Sequence, residues 1–487
     1  MSSLRQLYSP SLSLLTDLYQ LTMSYGYWKA GMANHESVFN LFYRQNPFKG
    51  GYGIAAGLEQ AIDLVTNSRF QDEDLQYLAS LNGNDGEPLF EDAFLHHLQS
   101  TPLSVDMDAV PEGSIVFPHE PIIRMRGNII PCQLFETPLL TLINFQTLIA
   151  TKASRVCAAA QGDSVLEFGL RRAQGFDGGL SASRAAYIGG CHATSNVLAG
   201  KLFDIPVKGT HAHAWVMMFD SEMDAFEAYA DAMPNNCVFL VDTYDTLEGV
   251  KKATKVGKQL REKGHEMVGV RLDSGDMAEL SKGARKILDD AGFQEAKIVA
   301  SDSLDELKLQ QLKSRGAQID VWGVGTNLVT ARDQPALGGV YKLSAVREPG
   351  GAWEPKIKLS NTPIKVSNPG IQQIRRYYNE NGQPIADMIY DELKGPSRSP
   401  SIRLLDKEAT ARSIDPQTPF EDLLESVVIS GHCVKKSPDI HQIRAHAQSE
   451  LSRFQAGVRA FQNPSTYPVG LEARLYNEKM RLFKAHR

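Results

Sequence analysis

The sequence predicts an α/β protein built on a β/α barrel. Three observations lead there. From about Val165 to Leu343, short apolar runs alternate with segments of helical spacing, four such units follow one another in chain order, and each apolar run ends in polar or small residues. Successive strand–helix units favour parallel strands with right-handed crossovers. Polar strand ends suit the C-terminal mouth of a barrel, where loops carry the chemistry. An open doubly wound sheet obeys the same rule at its switch point, and the unbroken order of the units favours the barrel.

The elements follow in order. "LLTDLYQLTMSYGYW" reads as a helix capped at Thr16, carrying Asp17, Tyr19, Tyr25 and Tyr27. "ESVFNLFYR" and "GSIVFPHEPIIRMRGNI" read as antiparallel strands, and "DEDLQYLASL" as a helix. "ETPLLTLINFQTLIATKASRV" is the most apolar stretch, but Asn144, Gln146, Thr147 and Lys152 interrupt it, so a buried helix is expected rather than a membrane span. "SVLEFGLRR", "YIGGCH" and "IPVKGTHAHAWV" supply the early staves. "NCVFLVDT", "MVGVRLDSGD", "KIVASDS" and "IDVWGVGTNL" supply the later ones, with helical segments between them and Gly264 closing the first. After Ser344, Pro, Gly and Asn punctuate short alternating strands, an α+β pattern. "IHQIRAHAQSELSRFQAGVRAFQN" then reads as one amphipathic helix. The expected domains are an N-terminal α/β domain (1–136), a barrel (137–345) and a C-terminal α+β region packing on the N-terminal domain (346–487).

Composition narrows the function. The chain has 487 residues, 42% hydrophobic and 22% charged, ordinary for a soluble protein of two or three domains. Lys+Arg 51 against Asp+Glu 57 gives a net charge of −6, which argues against a nucleic-acid partner but leaves room for small phosphorylated ligands. The cysteines (Cys132, Cys157, Cys191, Cys237 and Cys433) are scattered without a CxxC, as befits a reducing compartment, and the chain start lacks a leader pattern. A cytoplasmic protein without a membrane partner is expected.

Several strand ends carry chemistry. In "RLDSGD", Asp273 and Asp276 flank a turn after a strand bearing Arg271; such a loop can hold Mg²⁺ or ribose hydroxyls, or simply cap the next helix. The small residues of "WGVGTNLVT", with Gly325 and Thr326, let backbone N–H groups approach a phosphate, and "SDSLDE" one unit earlier, with Ser301, adds a neighbouring loop. "EFGLRRAQG" sets Phe168 beside Arg171 and Arg172, suiting a planar anion or a core ring beside surface charge. In "KGTHAHAWVM", an extended strand would turn His211 and His213 to one face. The pair fits a metal-dependent amidohydrolase-type barrel, joined by His192 or Asp273, or two core histidines, or an acid–base or nucleophilic histidine.

"TDLYQLTM", "FNLFYRQNPFKGGYGIAAGLE", "INFQTLIATKA", "EFGLRRAQG", "TSNVLAGKLFDIPVKGTHAH", "RLDSGD", "WGVGTNLVT", "GVYKL" and "YPVGL" occur in that order. Together they closely resemble the nicotinate phosphoribosyltransferase family, from Thr16 to Leu471. The resemblance implies the type II phosphoribosyltransferase fold, an irregular β/α barrel. It implies transfer of phosphoribosyl from 5-phosphoribosyl 1-diphosphate to nicotinate, giving nicotinate mononucleotide and diphosphate. ATP as co-substrate, Mg²⁺ and a homodimer with shared active sites are implied too, as is the first step of NAD biosynthesis from nicotinate. By position, His213 resembles the histidine that ATP phosphorylates. Phe168 and a partner subunit's Tyr19 resemble the faces around the pyridine ring. Arg271 resembles the arginine near nicotinate and ribose, and Asp273 the group for ribose or Mg²⁺. Thr210 and Ser195-Asn196 fall where the ring carboxylate is read. Gly325, Thr326 and Ser301 fall at the phosphate loops, and Arg44, Arg171 and Lys342 resemble cationic diphosphate contacts.

Overall fold

In the computed structural model, which describes residues 12–362, 365–405 and 410–485, six short strands carry the polar ends read from the sequence. They are β1 (Ser164–Glu167), β2 (Ala193–Thr194), β3 (Val238–Leu240), β4 (Gly269–Leu272), β5 (Lys297–Ala300) and β6 (Val321–Val324). All paired neighbours run parallel, in the order β2-β1-β6-β5-β4-β3. Each strand therefore lies beside its neighbour in sequence, and β6 returns to β1. Among the described residues, β2 and β3 are the neighbours in sequence that no ladder joins.

Helices Thr246–Glu262, Met277–Asp290 and Glu306–Ser314 follow β3, β4 and β5. Each begins at an aspartate whose carboxylate accepts a first-turn backbone N–H: Asp245, Asp276 and Asp305. Gly264 stands at φ +83° just past the first of them, a backbone conformation that favours glycine. The helices bury Val250, Val256, Leu260, Ala284, Leu288 and Leu309, while Val270, Leu272, Ile298 and Trp322 fill the sheet core. Burial of the Val, Leu and Ile side chains among these, each contributing about 1.5–3 kcal/mol, packs the helices on the sheet.

The chain forms two compact units. Leu148–Pro335 and Ile440–Gln448 make the unit with the parallel sheet; residues up to Thr147, Ala336–Asp439 and those from Ser449 onward make the other. The latter holds a seven-stranded sheet in which Glu36–Tyr43 pairs antiparallel with both Gly339–Arg347 and Ile123–Asn128. Its second sheet centres on Gln372–Tyr378, Pro384–Asp391 and Val469–Glu472.

Two expectations change. The N-terminal helix is Leu18–Lys29, with Asp17 rather than Thr16 at its cap; the Asp17 carboxylate accepts from the Thr137 hydroxyl (2.8 Å) instead of capping. The last amphipathic helix stops at Arg453 and resumes as Ala456–Arg459. Phe454 turns into the core between them, its ring centroid 5.5 Å from Phe117 and 5.2 Å from Tyr467. The first eleven residues, on which the expectation of no leader falls, lie outside the described ones, as do 363–364 and 406–409 within the C-terminal strand pattern. Among the described residues, no helix is long and apolar enough to cross a membrane.

Candidate active site

The strand-end residues converge on Arg271, midway along β4. Its Nε donates to Ser301 Oγ (2.8 Å) after β5, Nη1 to Thr210 Oγ1 (3.0 Å), and Nη2 to Asp273 Oδ1 (3.0 Å). The guanidinium carbon lies 5.8 Å from the Phe168 ring centroid. Ser301 Oγ also donates to Asp273 Oδ1. Burial opposes ionisation of Asp273, but Ser301 and Arg271 outweigh it and hold its carboxyl below the ordinary range. Asp276 turns away: it caps its helix and pairs with Arg315 (2.7 Å). Of the two carboxylates in "RLDSGD", Asp273 alone joins Arg271.

Asp242, at the end of the β3 run, is a member the motifs did not single out. Its Oδ2 accepts from the Asp273 backbone N–H (2.9 Å) and the Ser274 hydroxyl (2.7 Å), which fixes the acidic loop. Its Oδ1 is buried and accepts no hydrogen bond. That oxygen lies 4.0 Å from His213 Nε2, and Asp273 Oδ2 lies 3.8 Å from the same nitrogen.

The two histidines do not share a strand face. The chain leaves extended pairing at Val207 and starts a short helix, His213–Met217. His211 is buried edge-on against Tyr229 (4.8 Å between centroids). Its Nε2 accepts from the Leu240 backbone N–H (3.2 Å) and its Nδ1 faces the Ala212 carbonyl (3.4 Å). Burial, aided by Arg271 and His213, lowers its pKa to about 4. With both ring nitrogens engaged by the backbone, the geometry does not favour the paired-histidine hydrolase. Among the described residues, no group of three or more His, Cys, Asp or Glu is arranged to hold one. His213 is 40% exposed; Nδ1 meets Thr243 Oγ1 at 3.1 Å, and Nε2 faces the two carboxylates.

Phe168 hands its N–H to the Val324 carbonyl (2.8 Å), and its ring edge lies close to Gly323 on β6. A Cβ at Gly323 would stand 2.7 Å from that ring, so glycine is required there. Buried Glu167 steadies the turn, accepting from the Gly169 N–H, Ser183 Oγ (2.9 Å) and Thr194 Oγ1 (2.6 Å). Asn196 is buried, its amide committed to capping helix Val197–Phe203 and to Ser183 (3.2 Å). The loops after β5 and β6 are tied by Asn327, whose Nδ2 donates to the Ser303 (2.9 Å) and Leu304 (3.2 Å) carbonyls. Asp302 and Ser303 take φ of +105° and +47°, a strained pair beside Ser301. Gly325 opens the turn Thr326–Val329, leaving Thr326 exposed, and Arg171 is exposed on the turn Leu170–Arg172. His192 accepts from the Val165 N–H (3.2 Å).

Tyr19, Arg44 and Lys342 belong to the other unit. Tyr19 is half-exposed on Leu18–Lys29, and burial with nearby Glu136 and Asp17 raises its hydroxyl pKa. Arg44 follows strand Glu36–Tyr43. Lys342 Nζ donates to the Tyr341 carbonyl (2.8 Å) and lies 3.7 Å from Glu136.

The chain is similar to known proteins along its length. Residues 14–144 match the nicotinate phosphoribosyltransferase N-terminal domain, 164–378 the nicotinate phosphoribosyltransferase family and 371–479 the corresponding C-terminal domain. A nicotinate phosphoribosyltransferase of Bacillus subtilis is 43% identical over 97% of this chain and 95% of its own. One of Homo sapiens is 36% identical over 95% of each chain. The crystal structure of human nicotinic acid phosphoribosyltransferase superposes with a TM-score of 0.84 at 33% identity, covering 96% of this chain and 99% of that one. A nicotinate-nucleotide pyrophosphorylase from Pyrococcus furiosus shares the fold, at TM-score 0.69 and 20% identity over 93% of this chain and 97% of that one.

Proposed function

Since the chain belongs to the nicotinate phosphoribosyltransferase family, we propose that it joins nicotinate to 5-phosphoribosyl 1-diphosphate with ATP driving the reaction through a phosphohistidine at His213. The observation that supports the ATP step most is the part-exposed His213, whose Nε2 faces two carboxylates while Nδ1 is engaged by Thr243. A proton on Nδ1, donated to the Thr243 hydroxyl, leaves the Nε2 lone pair free as nucleophile. An N–P bond then forms at the γ-phosphorus of ATP as its bridging O–P bond breaks and ADP leaves. Water later cleaves the N–P bond and returns inorganic phosphate. In the transfer itself, the pyridine nitrogen bonds the anomeric carbon as the C–O bond to diphosphate breaks. That nitrogen already carries a lone pair, so positioning and charge stabilisation suffice and no general base is needed. Arg271 and Phe168 suit the ring, with Thr210 beside them, and Asp273 the ribose. Ser301, Gly325, Thr326 and Arg171 suit the phosphates.

Hard oxygen donors fit Mg²⁺: Asp273 Oδ2 and the unpartnered Asp242 Oδ1 are the available oxygens. Bound with the substrate phosphates, the ion would neutralise charge on them. The irregular barrel belongs to the same reading. Segment 206–208 bonds to Thr194 on β2 (3.0 Å both ways), and His211 takes the Leu240 N–H on β3, so residues 206–211 bridge the gap in the cyclic strand order. Exposed Val197, Leu198 and Leu202 on one helix, with Met217 and Met218 nearby in sequence, suit cover by a second copy. The product would enter NAD biosynthesis.

The test is incubation with γ-labelled ATP and peptide mapping, alongside formation of nicotinate mononucleotide from labelled nicotinate. Label on His213, absent from H213A, with product in the wild type is expected. Product without any protein-bound phosphate defeats the phosphohistidine; no product defeats the enzyme.

A further inference from the structure

Helix Glu136–Ala160, the most apolar stretch of the sequence, buries two cations, Lys152 and Arg155. Both meet one carboxylate, that of equally buried Glu306. Lys152 Nζ lies 2.7 Å from its Oε2, and Arg155 Nε donates to its Oε1 (2.9 Å). All three residues belong to the unit with the parallel sheet. Burial opposes ionisation of Glu306, but Lys152 and then Arg155 outweigh it and hold its carboxyl below the ordinary range. Such a cluster is a poor way to add stability, because apolar side chains of similar volume commonly do as well or better. What it supplies is direction: two donors arriving from one helix fix where the carboxylate stands.

Glu306 is the first residue of helix Glu306–Ser314, which follows the loop that starts at Ser301. Within that loop Asp302 and Ser303 both take positive φ, a conformation that persists in such residues only where the surroundings hold it. Asn327 takes the Ser303 and Leu304 carbonyls, and Lys308 Nζ reaches the Asp302 carbonyl (3.1 Å). Glu306 ties the far end of the loop to helix Glu136–Ala160. At the near end Ser301 Oγ accepts from Arg271 Nε and donates to Asp273 Oδ1. We propose that Glu306, gripped by Lys152 and Arg155, is a positioning residue: it holds the 301–305 loop in the shape that presents Ser301 to a phosphate of the ribosyl donor. That a phosphate is what the loop receives rests on the phosphoribosyltransferase reading. Glu306 acts through the loop and not on the substrate.

Steady-state kinetics and hydrogen exchange of the full chain test this. E306Q keeps the side-chain shape and an oxygen for Arg155 but loses the charge. Its KM for 5-phosphoribosyl 1-diphosphate is expected to rise about tenfold, with KM for nicotinate within about twofold of wild type. R155K, which keeps a cation, should stay within about threefold for both. The triple variant K152M/R155M/E306L replaces the whole ion cluster, so its urea midpoint should stay near wild type while its donor KM rises like that of E306Q. A wild-type donor KM in folded E306Q or in the folded triple variant overturns the proposal, whatever happens to stability. If E306Q does not fold, the triple variant makes the comparison. Should wild type make no nicotinate mononucleotide, the enzyme reading fails and the amides of 302–305 decide the clamp. Exchange about tenfold faster in E306Q supports it, and unchanged rates sink it.

Discussion

Two arginines in this chain look alike in sequence terms and behave differently. Arg376, in the sheet built on Gln372–Tyr378 and Pro384–Asp391, is fully buried and clamps equally buried Asp387 through Nε (3.0 Å) and Nη2 (2.6 Å). Nη2 also reaches the Ile115 carbonyl (2.8 Å), and the Tyr467 hydroxyl closes on Asp387 (2.9 Å). Burial and the neighbouring Asp387 raise the Glu120 carboxyl well above its usual range, which favours its neutral form. Nothing in that cluster reaches solvent. Arg271 instead spreads over two neutral hydroxyls and one carboxylate, beside an exposed imidazole and an unpartnered Asp242 oxygen. Similar residue types thus hold a fold in one place and present an open valence in the other. Access to solvent separates the two roles, not burial of charge.

The comparison breaks if both arginines fail in the same way. R376M should strand Asp387 in the core and cost about 3–5 kcal/mol, read as a lower urea midpoint, with kcat per folded molecule near wild type. R271A should lose about 10²–10³-fold in kcat/KM while its midpoint moves by about 1 kcal/mol or less. Equal stability loss in both would mean that Arg271 is merely another buried pair. A smaller effect sharpens the contrast. D242N keeps an oxygen for the Asp273 N–H but removes the charge facing His213 Nε2. Label from γ-phosphate-labelled ATP should fall about 10–100-fold, while transfer driven by saturating phosphoribosyl donor without ATP falls less.

What the sequence makes legible follows how local each cause is. Asp273, Ser301 and Gly325 stand out because an apolar run ending in a polar residue is visible within ten positions. The Asp N-caps and Gly264 mark helix ends for the same reason. The link from His211 to the Leu240 N–H is not visible, because it spans 29 residues. The histidine pair misleads for that reason too: Tyr229 and Leu240 capture one ring, while a helix start at His213 turns the other toward Thr243. Glu167 and Asn327 escape as well, since each acts by joining loops distant in the chain. Only their packing gives those residue types a role.

His211 gives the mildest test of the contrast, one that reads stability rather than activity. Its folded pKa is depressed to about 4, while the unfolded chain titrates near the ordinary 6.5. Between those values the unfolded state binds more protons, so stability rises with pH across the window. The contribution is full above about pH 6.5 and lost as pH falls toward 4. H211Q can still accept the Leu240 N–H through its amide oxygen, so at pH 7 a loss of only about 1 kcal/mol is expected. Its denaturation midpoint should then fall less steeply than wild type from pH 6.5 to 4.5; His119, lowered for similar reasons, keeps some slope in both. Superimposable pH profiles would show that folded His211 titrates as in the unfolded chain, so that below about pH 6.5 a charged imidazole would have no acceptor nitrogen for the Leu240 N–H.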